Sequence, residues 1–451
     1  MQTKVQQDNA ISGSLWLLVV LAAMGGFLDS YDLISVGAAT FIAKSFHQLV
    51  VTPSDIALAN SAAFVGAILA SLLAGRYSDA AGRRVLFVLD LLLFVVVAPL
   101  QALVSNVQEL IVLRLLIGVA IGIDLPVAWT LICETAPAGK RGRLVSMMFT
   151  FWALGGLASF LVALALLPLG AIAWRLLLAS GAIPAIIVLV LRRGVPESPR
   201  WLHAQGRHDE ARQAASSLGL SATAHGAEEP RVGSGEKLGY GVLFTRYWRL
   251  ALFEGTFMFV FAATGLLLSI YPAQIFAKVG LTGFHNSLYV GALSWVLILL
   301  GMVTCALIID KVGRRPLSYL GSLGAALLLW LLSRISLADF PLFLGTFCAF
   351  AYISVLGAWG TAWVYQSEIF PTRLRATGAG YAGAMNRLGA AAAAFGVPVF
   401  LAAFGFQRLL DVFIVANLVL FMVLVAFGFE TRGMSLEQIE DMVQSRNPAS
   451  G

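Results

Sequence analysis

The stretch DAAGRR at residues 79–84 returns as DKVGRR at residues 310–315, a lag of 231 residues from Asp79 to Asp310. Two further pairs recur at lags of 234 and 233 residues: Glu134 in ETAPAGKR with Glu368 in EIFPTRLR, and Glu197 in PESPR with Glu430 in FETRG. Three landmarks at nearly one lag indicate an internal repeat. The chain is therefore expected to consist of two halves of similar design.

The composition is that of an integral membrane protein. Hydrophobic residues make up 59% of the 451 residues and charged residues only 12%, with a mean hydropathy of +0.85, whereas soluble proteins have about 25% charged residues. Apolar segments of about 20 residues are long enough to cross a bilayer as helices. Twelve such segments occur: 14–43, 56–75, 85–104, 110–132, 144–168, 174–191, 250–277, 286–309, 316–333, 340–365, 377–402 and 409–428.

Together, the segments and the repeat predict an all-α membrane protein with twelve transmembrane helices in two six-helix pseudo-symmetric halves. The predicted divisions are an N-terminal half at 1–192, a cytoplasmic linker with short interfacial helices at 193–248, a C-terminal half at 249–429 and a cytoplasmic tail at 430–451. In the linker, the stretch from Ser198 has helical periodicity, with Ser198 or Pro199 as its capping residue.

The basic residues predict the orientation. If the N-terminus is cytoplasmic, 23 Lys and Arg lie on the inner side and 5 on the outer side. This bias predicts a multi-pass protein of the cell (inner) membrane with both termini in the cytoplasm. The pI near 9.3 then reflects topology and not a nucleic-acid partner. The expected partners are the lipid bilayer and a small-molecule substrate, and the chain is expected to act as a monomer.

The sequence lacks the residues that a pump or an enzyme would use. There is no GxxxxGK[ST] nucleotide motif. The five histidines fall in predicted loops or at helix ends, and the three cysteines lack the spacing of a metal site. We therefore expect a protein that is not an enzyme and has no cofactor and no metal, with a proton gradient as its energy source. A receptor of transporter fold is disfavoured, because such proteins usually carry a longer cytoplasmic domain.

Several motifs occur in order along nearly the whole chain: GRYSDAAGRR, RLLIGVAIGIDLPVAWTLICETAPAGKRGR, PESPRWL, DKVGRR, SEIFPTRLRATGAG and ETRG. This set resembles the signature of the major facilitator superfamily, in particular its sugar-porter-like branch. The nearest likeness within it is to the organic-ion, aromatic-acid and synaptic-vesicle-protein-like proton symporters. The resemblance implies a secondary active transporter that works by alternating access and binds its substrate between the halves.

The same resemblance implies a cytoplasmic gate built from charges of both signs at the helix ends. Such charges could bridge the halves when the cytoplasmic side is shut and separate when it opens. The alternative is that the arginines only set the topology. The implied gate residues are Asp79, Arg83, Arg84, Glu134, Arg141, Glu197 and Arg200, with Asp310, Arg314, Arg315, Glu368, Arg375 and Glu430 in the second half.

Two carboxylates, Asp29 and Asp32, lie in the first segment, three residues apart on one helical face. A charge at the bilayer centre costs roughly 2.5–3.5 kcal/mol on insertion scales, so both need a compensating role. Their rise along the segment, roughly 22–27 Å, matches the depth of Arg114 in the fourth segment. A carboxylate opposite Arg114 would be ion-paired when charged and released when protonated, which would couple proton entry to a conformational change.

The first helix also resembles known symporters. SYD, which ends at Asp32, matches the GYD whose Asp faces an Arg of the fourth helix in sugar porters, and this implies proton coupling. Asp29 completes D-x-Y-D, which is similar to the first helix of phosphate and aromatic-acid proton symporters. The alternative is a static salt bridge that holds two helices together.

Asp124, in GIDLP, departs from the sugar-porter pattern and resembles the GDYP of proton-coupled phosphate symporters. It lies about 15 Å below Arg114 along the fourth segment, near the midplane where transporter sites lie. We expect Asp124 to bind substrate or a proton. The alternative is a buried pair with a neighbouring helix.

Arg387 lies about ten residues into the eleventh segment, among Ala and Gly residues. An arginine in a central cavity can hold a carboxylate or phosphate through two parallel hydrogen bonds, which an uncharged sugar does not require. Arg387 with RATG upstream resembles the organic-ion and synaptic-vesicle-protein-like branch. The alternative is an internal counter-ion for Asp124 or Glu254.

Four further side chains are expected to contact substrate in the cavity, although aromatic stripes more often serve helix packing: Tyr271, Trp359, Trp363 and Gln366. Glu254 and Asp90 lie nearer the cytoplasmic side. We expect both to reach the water or to pair with arginines of the loops.

These features predict proton-coupled symport of a small organic anion, an aromatic or aliphatic carboxylate. Phosphate is the second option because of Asp124. Sugars or polyols are the third, because FVFAATG stands where hexose carriers have a Gln-rich seventh helix.

Overall fold

The computed structural model describes residues 13–46, 52–135, 141–218, 240–272, 275–276, 284–336, 339–371, 374–434 and 436–446. Within these ranges every regular element is a helix, which confirms the all-α prediction. The long helices are labelled α1 to α12 in chain order. They are α1 Gly13–Ser45, α2 Pro53–Ala81, α3 Arg83–Gln101, α4 Val107–Thr135, α5 Arg141–Leu166, α6 Ala173–Ser180 with Ala182–Arg192, α7 Trp248–Ser269, α8 Phe284–Val312, α9 Arg314–Arg334, α10 Phe340–Ser354 continued by Val355–Trp359 and Gly360–Glu368, and α11 with α12 as Arg375–Phe427.

Nine helical stretches of the described chain are long and apolar enough to cross a membrane, and two of these are long enough to cross twice. Phe149–Arg192 and Thr377–Phe427 contain 44 and 51 residues, about 65–75 Å if straight, against about 30 Å of hydrocarbon. The chain turns back at Gly170 and Gly405, where φ is 64° and 81°. Because the two longest stretches each contain two helices, the nine stretches supply eleven helices. The helix α4, which is not among the nine, is the twelfth of the predicted set.

The two Gly-Arg-Arg turns have the same geometry. Gly82 and Gly313 precede α3 and α9 with φ of 97° and 107° and ψ of 159° and 161°, a region that is essentially restricted to glycine. A Cβ at Gly82 would lie 2.4 Å from Glu197 Oε2, and a Cβ at Gly313 would lie 2.5 Å from Glu430 Oε2. The repeat in the sequence is therefore also a repeat in the structure at these turns, and we call the face of the bundle that carries them the basic face.

Short helices follow α6 along the basic face, at Pro199–Ala204, His208–Ser217 and Tyr240–Thr245. The Ser198 side chain accepts a hydrogen bond from the Trp201 backbone N–H at 3.3 Å. Ser198 is thus the N-cap, and Pro199 takes the first helical position, where its missing N–H costs nothing.

Small residues let neighbouring helices approach closely. A Cβ at Gly118 of α4 would lie 2.0 Å from the Ala63 carbonyl oxygen of α2. A Cβ at Gly389 of α11 would lie 2.2 Å from the Phe259 carbonyl oxygen of α7. Close backbone packing of this kind is what holds membrane helices together when the lipid is as apolar as the side chains.

The two predicted halves also contact each other. A Cβ at Gly37 of α1 would lie 2.5 Å from the carbonyl oxygen of Ile270, just after α7, and a Cβ at Gly156 of α5 would lie 2.4 Å from the Trp295 ring of α8. Gly37 and Ile270 both lie toward the face opposite the basic face. The halves are therefore in contact on that side.

We expect Gly313→Ala to destabilise the protein. The positive φ costs a residue with a side chain on the order of 1–3 kcal/mol, and the added Cβ would also displace the Glu430 carboxylate. Gly345→Ala is the control, because Gly345 lies in α10 with open space around its Cβ position, and alanine favours a helix by about 1 kcal/mol over glycine. Thermal unfolding in detergent should show a lower midpoint for Gly313→Ala alone. Equal midpoints for Gly313→Ala and wild type would contradict this account.

Candidate transport site

Asp32 and Arg114 form a buried ion pair between α1 and α4. Arg114 Nη1 contacts Asp32 Oδ2 and donates to the Asp32 carbonyl oxygen at 3.2 Å. Gln101 Nε2 donates to the other carboxylate oxygen at 3.4 Å. Asp32 and Arg114 are 1% and 0% exposed. The depths predicted that a carboxylate of the first segment faces Arg114, and the family resemblance singled out Asp32. This pairing is present, whereas its role in proton coupling stays a prediction.

Arg192, at the end of α6, is a second buried cation. Its Nη1 lies 3.2 Å from Asp90 Oδ2 and 3.1 Å from Asp124 Oδ1. The same guanidinium donates to the carbonyl oxygens of Phe87 and Leu21, each at 2.9 Å, and lies over the Phe87 ring. Arg192, Asp90 and Asp124 are all buried. Arg192 therefore joins α6 to α1, α3 and α4.

Sequence reasoning missed Arg192 as part of the site, because it was counted with the basic linker that follows the sixth segment. Asp90 does pair with an arginine, as expected. The Asp124 contact matches the buried-pair alternative for that residue, and a role in binding substrate or a proton stays a prediction. The available signal was that Asp90 and Asp124 are two carboxylates within the neighbouring third and fourth segments, with Arg192 at the end of the sixth.

Asp29 is completely buried in α1. Within the described chain, neither of its carboxylate oxygens has a hydrogen-bond partner. Asp124 packs close by, since a Cβ at Gly25, one helical turn before Asp29, would lie 1.9 Å from Asp124 Oδ2. The charged groups that act on Asp29 electrostatically are Asp124, Arg387, Arg192 and Asp32. Asp29 thus lies within electrostatic range of both Arg192 and Arg387.

Arg387 lies about midway along α11 and is partly accessible. Among the described residues it has neither an ion pair nor a hydrogen bond, and Asp29 is the carboxylate that acts on its charge. Asp124 pairs instead with Arg192, and Glu254 has no polar partner among these residues. The alternative that Arg387 is the counter-ion of Asp124 or Glu254 therefore does not hold in this structure.

The expectation for Glu254 is wrong. This residue is 0% exposed, so it does not reach the water. In the described part of the chain, neither carboxylate oxygen accepts a hydrogen bond, from a loop arginine or from any other donor. Hydropathy indicates how deep a residue lies along a membrane helix, but it does not indicate in which direction around the helix axis the side chain points.

Trp359 and Trp363 of α10 belong to an aromatic cluster. Ring centroids are 5.6 Å apart for Trp359 and Trp152 and 4.8 Å apart for Trp363 and Phe149, with both partners on α5. Phe261 of α7 lies 5.8 and 5.9 Å from the two tryptophan rings. The cluster therefore joins α5 of the predicted N-terminal half to α7 and α10 of the other. Contact with substrate stays a prediction for both tryptophans.

Tyr271 and Gln366 make polar contacts with neighbouring helices. The Tyr271 hydroxyl accepts from Asn60 Nδ2 of α2 at 2.8 Å and donates to the Ala394 carbonyl oxygen of α11 at 2.6 Å. Gln366 Nε2 donates to the Ala379 carbonyl oxygen at 3.1 Å, and Gln366 Oε1 has no partner within the described ranges. Tyr271 thus links the predicted halves, and its role in binding substrate, like that of Gln366, remains untested.

The described gate residues of the C-terminal half form one cluster. Arg314 pairs with Asp310 at 2.8 Å and with Glu368 at 2.9 Å. Glu430 accepts the backbone N–H groups of Arg314 and Arg315, each at 3.0 Å. Partial burial alone would raise the pKa of Glu430, but the backbone N–H groups that donate to it hold this pKa below its usual value. These contacts stay within one half.

In the N-terminal half, Glu197 Oε2 accepts the Arg84 backbone N–H at 3.0 Å, and Arg84 Nη2 donates to the Arg193 carbonyl oxygen at 2.9 Å. This matches the position of Glu430 in the other half. Bridging between the halves stays a prediction. The side chains of the remaining gate residues lie outside the described part of the structure: Asp79, Arg83, Glu134, Arg141, Arg200 and Arg375.

The twelve-helix bundle with charge clusters buried between its helices defines a membrane transporter of the major facilitator class. The chain belongs to the sugar (and other) transporter family, whose model matches residues 18–443. It is therefore a multi-pass membrane transporter of a small-molecule substrate, and the prediction that it is not an enzyme is confirmed.

Two relatives and one solved structure illustrate the similarity. The chain is 30% identical over 450 residues to the arabinose-proton symporter of Bacillus subtilis, covering 95% of each chain. It is 29% identical over 435 residues to the niacin transporter NiaP of Acinetobacter baylyi, covering 94% of this chain and 96% of that one. The xylose transporter XylE from E. coli, in a partially occluded inward open conformation, matches with a TM-score of 0.79 and 23% identity, covering 94% of this chain and 100% of that one. The similarity to XylE shows that the two proteins share a fold.

Removing one member of the Asp32 and Arg114 pair should destabilise the protein. A buried charge left without its partner costs on the order of 3–5 kcal/mol, whereas removing both charges costs far less. We expect Asp32→Asn and Arg114→Gln each to lower the unfolding midpoint in detergent and the double variant to recover most of the loss. A double variant less stable than either single variant would show that the pair is not coupled as the geometry indicates.

Proposed function

We propose that this protein is a proton-coupled symporter of a small organic anion, an aromatic or aliphatic carboxylate, that works by alternating access. It lies in the bacterial inner membrane with the basic face, both termini and the linker in the cytoplasm. The charge bias of the loops supports this orientation. The proton gradient drives transport without a cofactor, and one chain suffices as the working unit.

The observation that carries the proposal is the state of Arg387. Arg114 and Arg192 each contact a carboxylate within the bundle. Arg387 contacts none among the described residues and is partly accessible. A guanidinium keeps its charge in proteins, and a charge in a low-dielectric interior is costly without a counter-charge. An anionic substrate would supply that counter-charge.

The form of the guanidinium favours a carboxylate. Its planar fork donates two parallel hydrogen bonds to the two oxygens of a carboxylate. Close by along α7, the Phe259 backbone packs against Gly389, two residues beyond Arg387. Phe261, two residues further along α7, packs against Trp359 and Trp363. We propose that this aromatic cluster lines the cavity that contains Arg387, where it would suit the ring of an aromatic carboxylate. The relative that is named for niacin, a pyridine carboxylate, is consistent with this class.

Asp29 provides the coupling. When ionised, it offers Arg387 a negative charge inside the protein and competes with the substrate. When Asp29 binds a proton, Arg387 is left without that charge and binds the substrate carboxylate more tightly. By linkage, the bound substrate favours the proton on Asp29 to the same extent. Proton and anion therefore bind together and leave together.

Alternating access then needs contacts that form and break between the halves. Tyr271 with Asn60 and Ala394 is such a contact toward the opposite face, and the cluster of Trp152 with Trp359 is another deeper in the bundle. The charge clusters of the basic face form the gate on the cytoplasmic side. Exchange of one set of contacts for the other would open the site to each side in turn.

A proton-coupled sugar or polyol is the second candidate. The name of the arabinose-proton symporter supports it, since that relative is similar over 95% of its length. Phosphate is a weaker option, because Asp124, whose setting suggested it, faces Arg192 and not an open cation. A neutral sugar would leave the charge of Arg387 unmatched, and for this reason we rank the organic anion first.

The substrate class can be tested by uptake into proteoliposomes under an inward proton gradient. The solutes are nicotinate, benzoate, lactate, phosphate and arabinose, with protein-free liposomes to correct for entry of neutral acids through the lipid. We expect a carboxylate to be taken up, and Arg387→Gln to reduce its uptake tenfold or more, because a charged hydrogen-bonding partner contributes about 1.5–3 kcal/mol. Arg408→Gln, which changes an exposed arginine of α12, should transport normally. Uptake of arabinose alone, or carboxylate uptake that survives in Arg387→Gln, would contradict the proposal.

The role of Asp29 is tested by comparing exchange with accumulation. Exchange of labelled for unlabelled anion needs no net movement of protons, whereas accumulation does. Asp29→Asn is a permanently neutral mimic of the protonated residue, so it should keep exchange. At a gradient of one pH unit it should accumulate about tenfold less anion than wild type, because each coupled proton contributes a factor of ten per pH unit. Accumulation equal to that of wild type would remove Asp29 from the coupling.

A further inference from the structure

The cluster of Asp90, Asp124 and Arg192 contains more carboxylates than cations. Both carboxylates face the same nitrogen, Nη1 of Arg192, at 3.2 and 3.1 Å. The other contacts of the guanidinium go to the backbone carbonyls of Phe87 and Leu21. With both carboxylates ionised, the cluster would carry one uncompensated negative charge at a place closed to solvent.

One oxygen of each carboxylate is left over. Asp90 Oδ1 and Asp124 Oδ2 are buried and accept no hydrogen bond from the described residues. Because both carboxylates contact the same nitrogen of Arg192, they lie next to each other. A single proton placed on one carboxylate would let it donate to the other and would make the cluster neutral. Paired carboxylates that hold one proton in common are the usual outcome of such crowding.

The surroundings strengthen this need for a proton. From α1, the buried and unpartnered Asp29 acts on both Asp124 and Arg192. The other charged groups near Asp29 are Asp32, which Arg114 already neutralises, and Arg387, which acts on Asp29. When it is ionised, Asp29 therefore adds negative potential to the cluster, and it brings no extra cation into contact with it.

A purely structural role would not call for this composition. One carboxylate is enough to neutralise Arg192, and a second ionised carboxylate in a buried site adds a desolvation cost with no matching charge. An amide at either position could accept the same hydrogen bond from Nη1 without that cost. The second carboxylate is useful if it exchanges a proton.

We infer that Asp90, Asp124 and Arg192 form a second proton-binding site, so that the transporter moves two protons with each anion. This inference rests on the proposed function. Arg192 ends α6 at the basic face, and Asp90 lies about 10 Å along α3 from that face. Asp32 and Arg114 lie toward the opposite face. The second site is therefore on the side from which a proton would leave for the cytoplasm.

The charge moved per cycle distinguishes one proton from two. One proton with a monovalent anion is electroneutral, whereas two protons with the anion carry one net positive charge. Vesicles of the wild type, with a potassium diffusion potential set by valinomycin, should accumulate about tenfold more anion for each 59 mV, inside negative. The probe is whichever of nicotinate, benzoate and lactate the vesicles exchange fastest.

Asp90→Asn leaves Asp124 and Arg192 as a neutral pair that needs no proton. We expect this variant to keep exchange, to lose the response to potential, and to accumulate about tenfold less at a gradient of one pH unit. Asp124→Asn is the second variant if Asp90→Asn does not exchange. Glu254→Gln is the matched control, a buried carboxyl of the membrane region with no hydrogen bond to an arginine among the described residues, and should respond to potential as wild type does.

The outcomes separate the two proposals. Wild-type uptake that ignores the potential, or an Asp90→Asn variant that exchanges and still responds to it, would overturn the second proton site while leaving anion symport intact. A wild type that exchanges no carboxylate would overturn the proposed function, and the second site would fall with it.

Discussion

A guanidinium that cannot lose its proton has to be matched by negative charge wherever the protein buries it. This constraint accounts for most of the charged residues within the described membrane helices. Arg114 is matched by Asp32, and Arg192 is matched by carboxylates from two helices. Each match fixes the rotation of the helices that supply it, so the helices of the N-terminal half are positioned by charge as well as by packing. Arg387 has no such match among the described residues, and in the proposed function an anionic substrate supplies it.

The positions of these charges depend on close packing. Membrane helices gain little from burying apolar groups against each other, so they rely on glycine and alanine to bring their backbones together. Gly25 shows the link to function, because its missing side chain makes the space that the Asp124 carboxylate occupies. At the basic face, Gly82 and Gly313 allow the turns in which Glu197 and Glu430 bind the starts of α3 and α9. Packing and electrostatics are thus parts of one arrangement.

Sequence reasoning located the helices well, because hydrophobic length is a local property. It also paired Asp32 with Arg114, because the two charges lie at the same depth in the first and fourth segments and SYD resembles the sugar-porter motif. It failed for Arg192, which stands at the boundary between a helix and a basic linker, and for Glu254, which it expected to reach the water or to pair with a loop arginine. The error for Arg192 concerns its position along the chain, because it was assigned to the linker, whereas the error for Glu254 concerns the rotation of its helix. The sequence reports how deep a residue lies, but the rotation of its helix decides which neighbours it faces.

The sequence by itself determined the membrane class, the twelve crossings, the repeat and the family, because these follow from hydrophobic lengths, charge counts and motifs along the chain. Only the tertiary structure decided which carboxylate each arginine holds, that Asp29 has no hydrogen-bonding partner among the described residues, and that Arg387 is left open. These outcomes depend on distances of a few ångströms between helices that are far apart in the chain. An ion pair or a hydrogen bond forms only when such distances and the helix rotations agree.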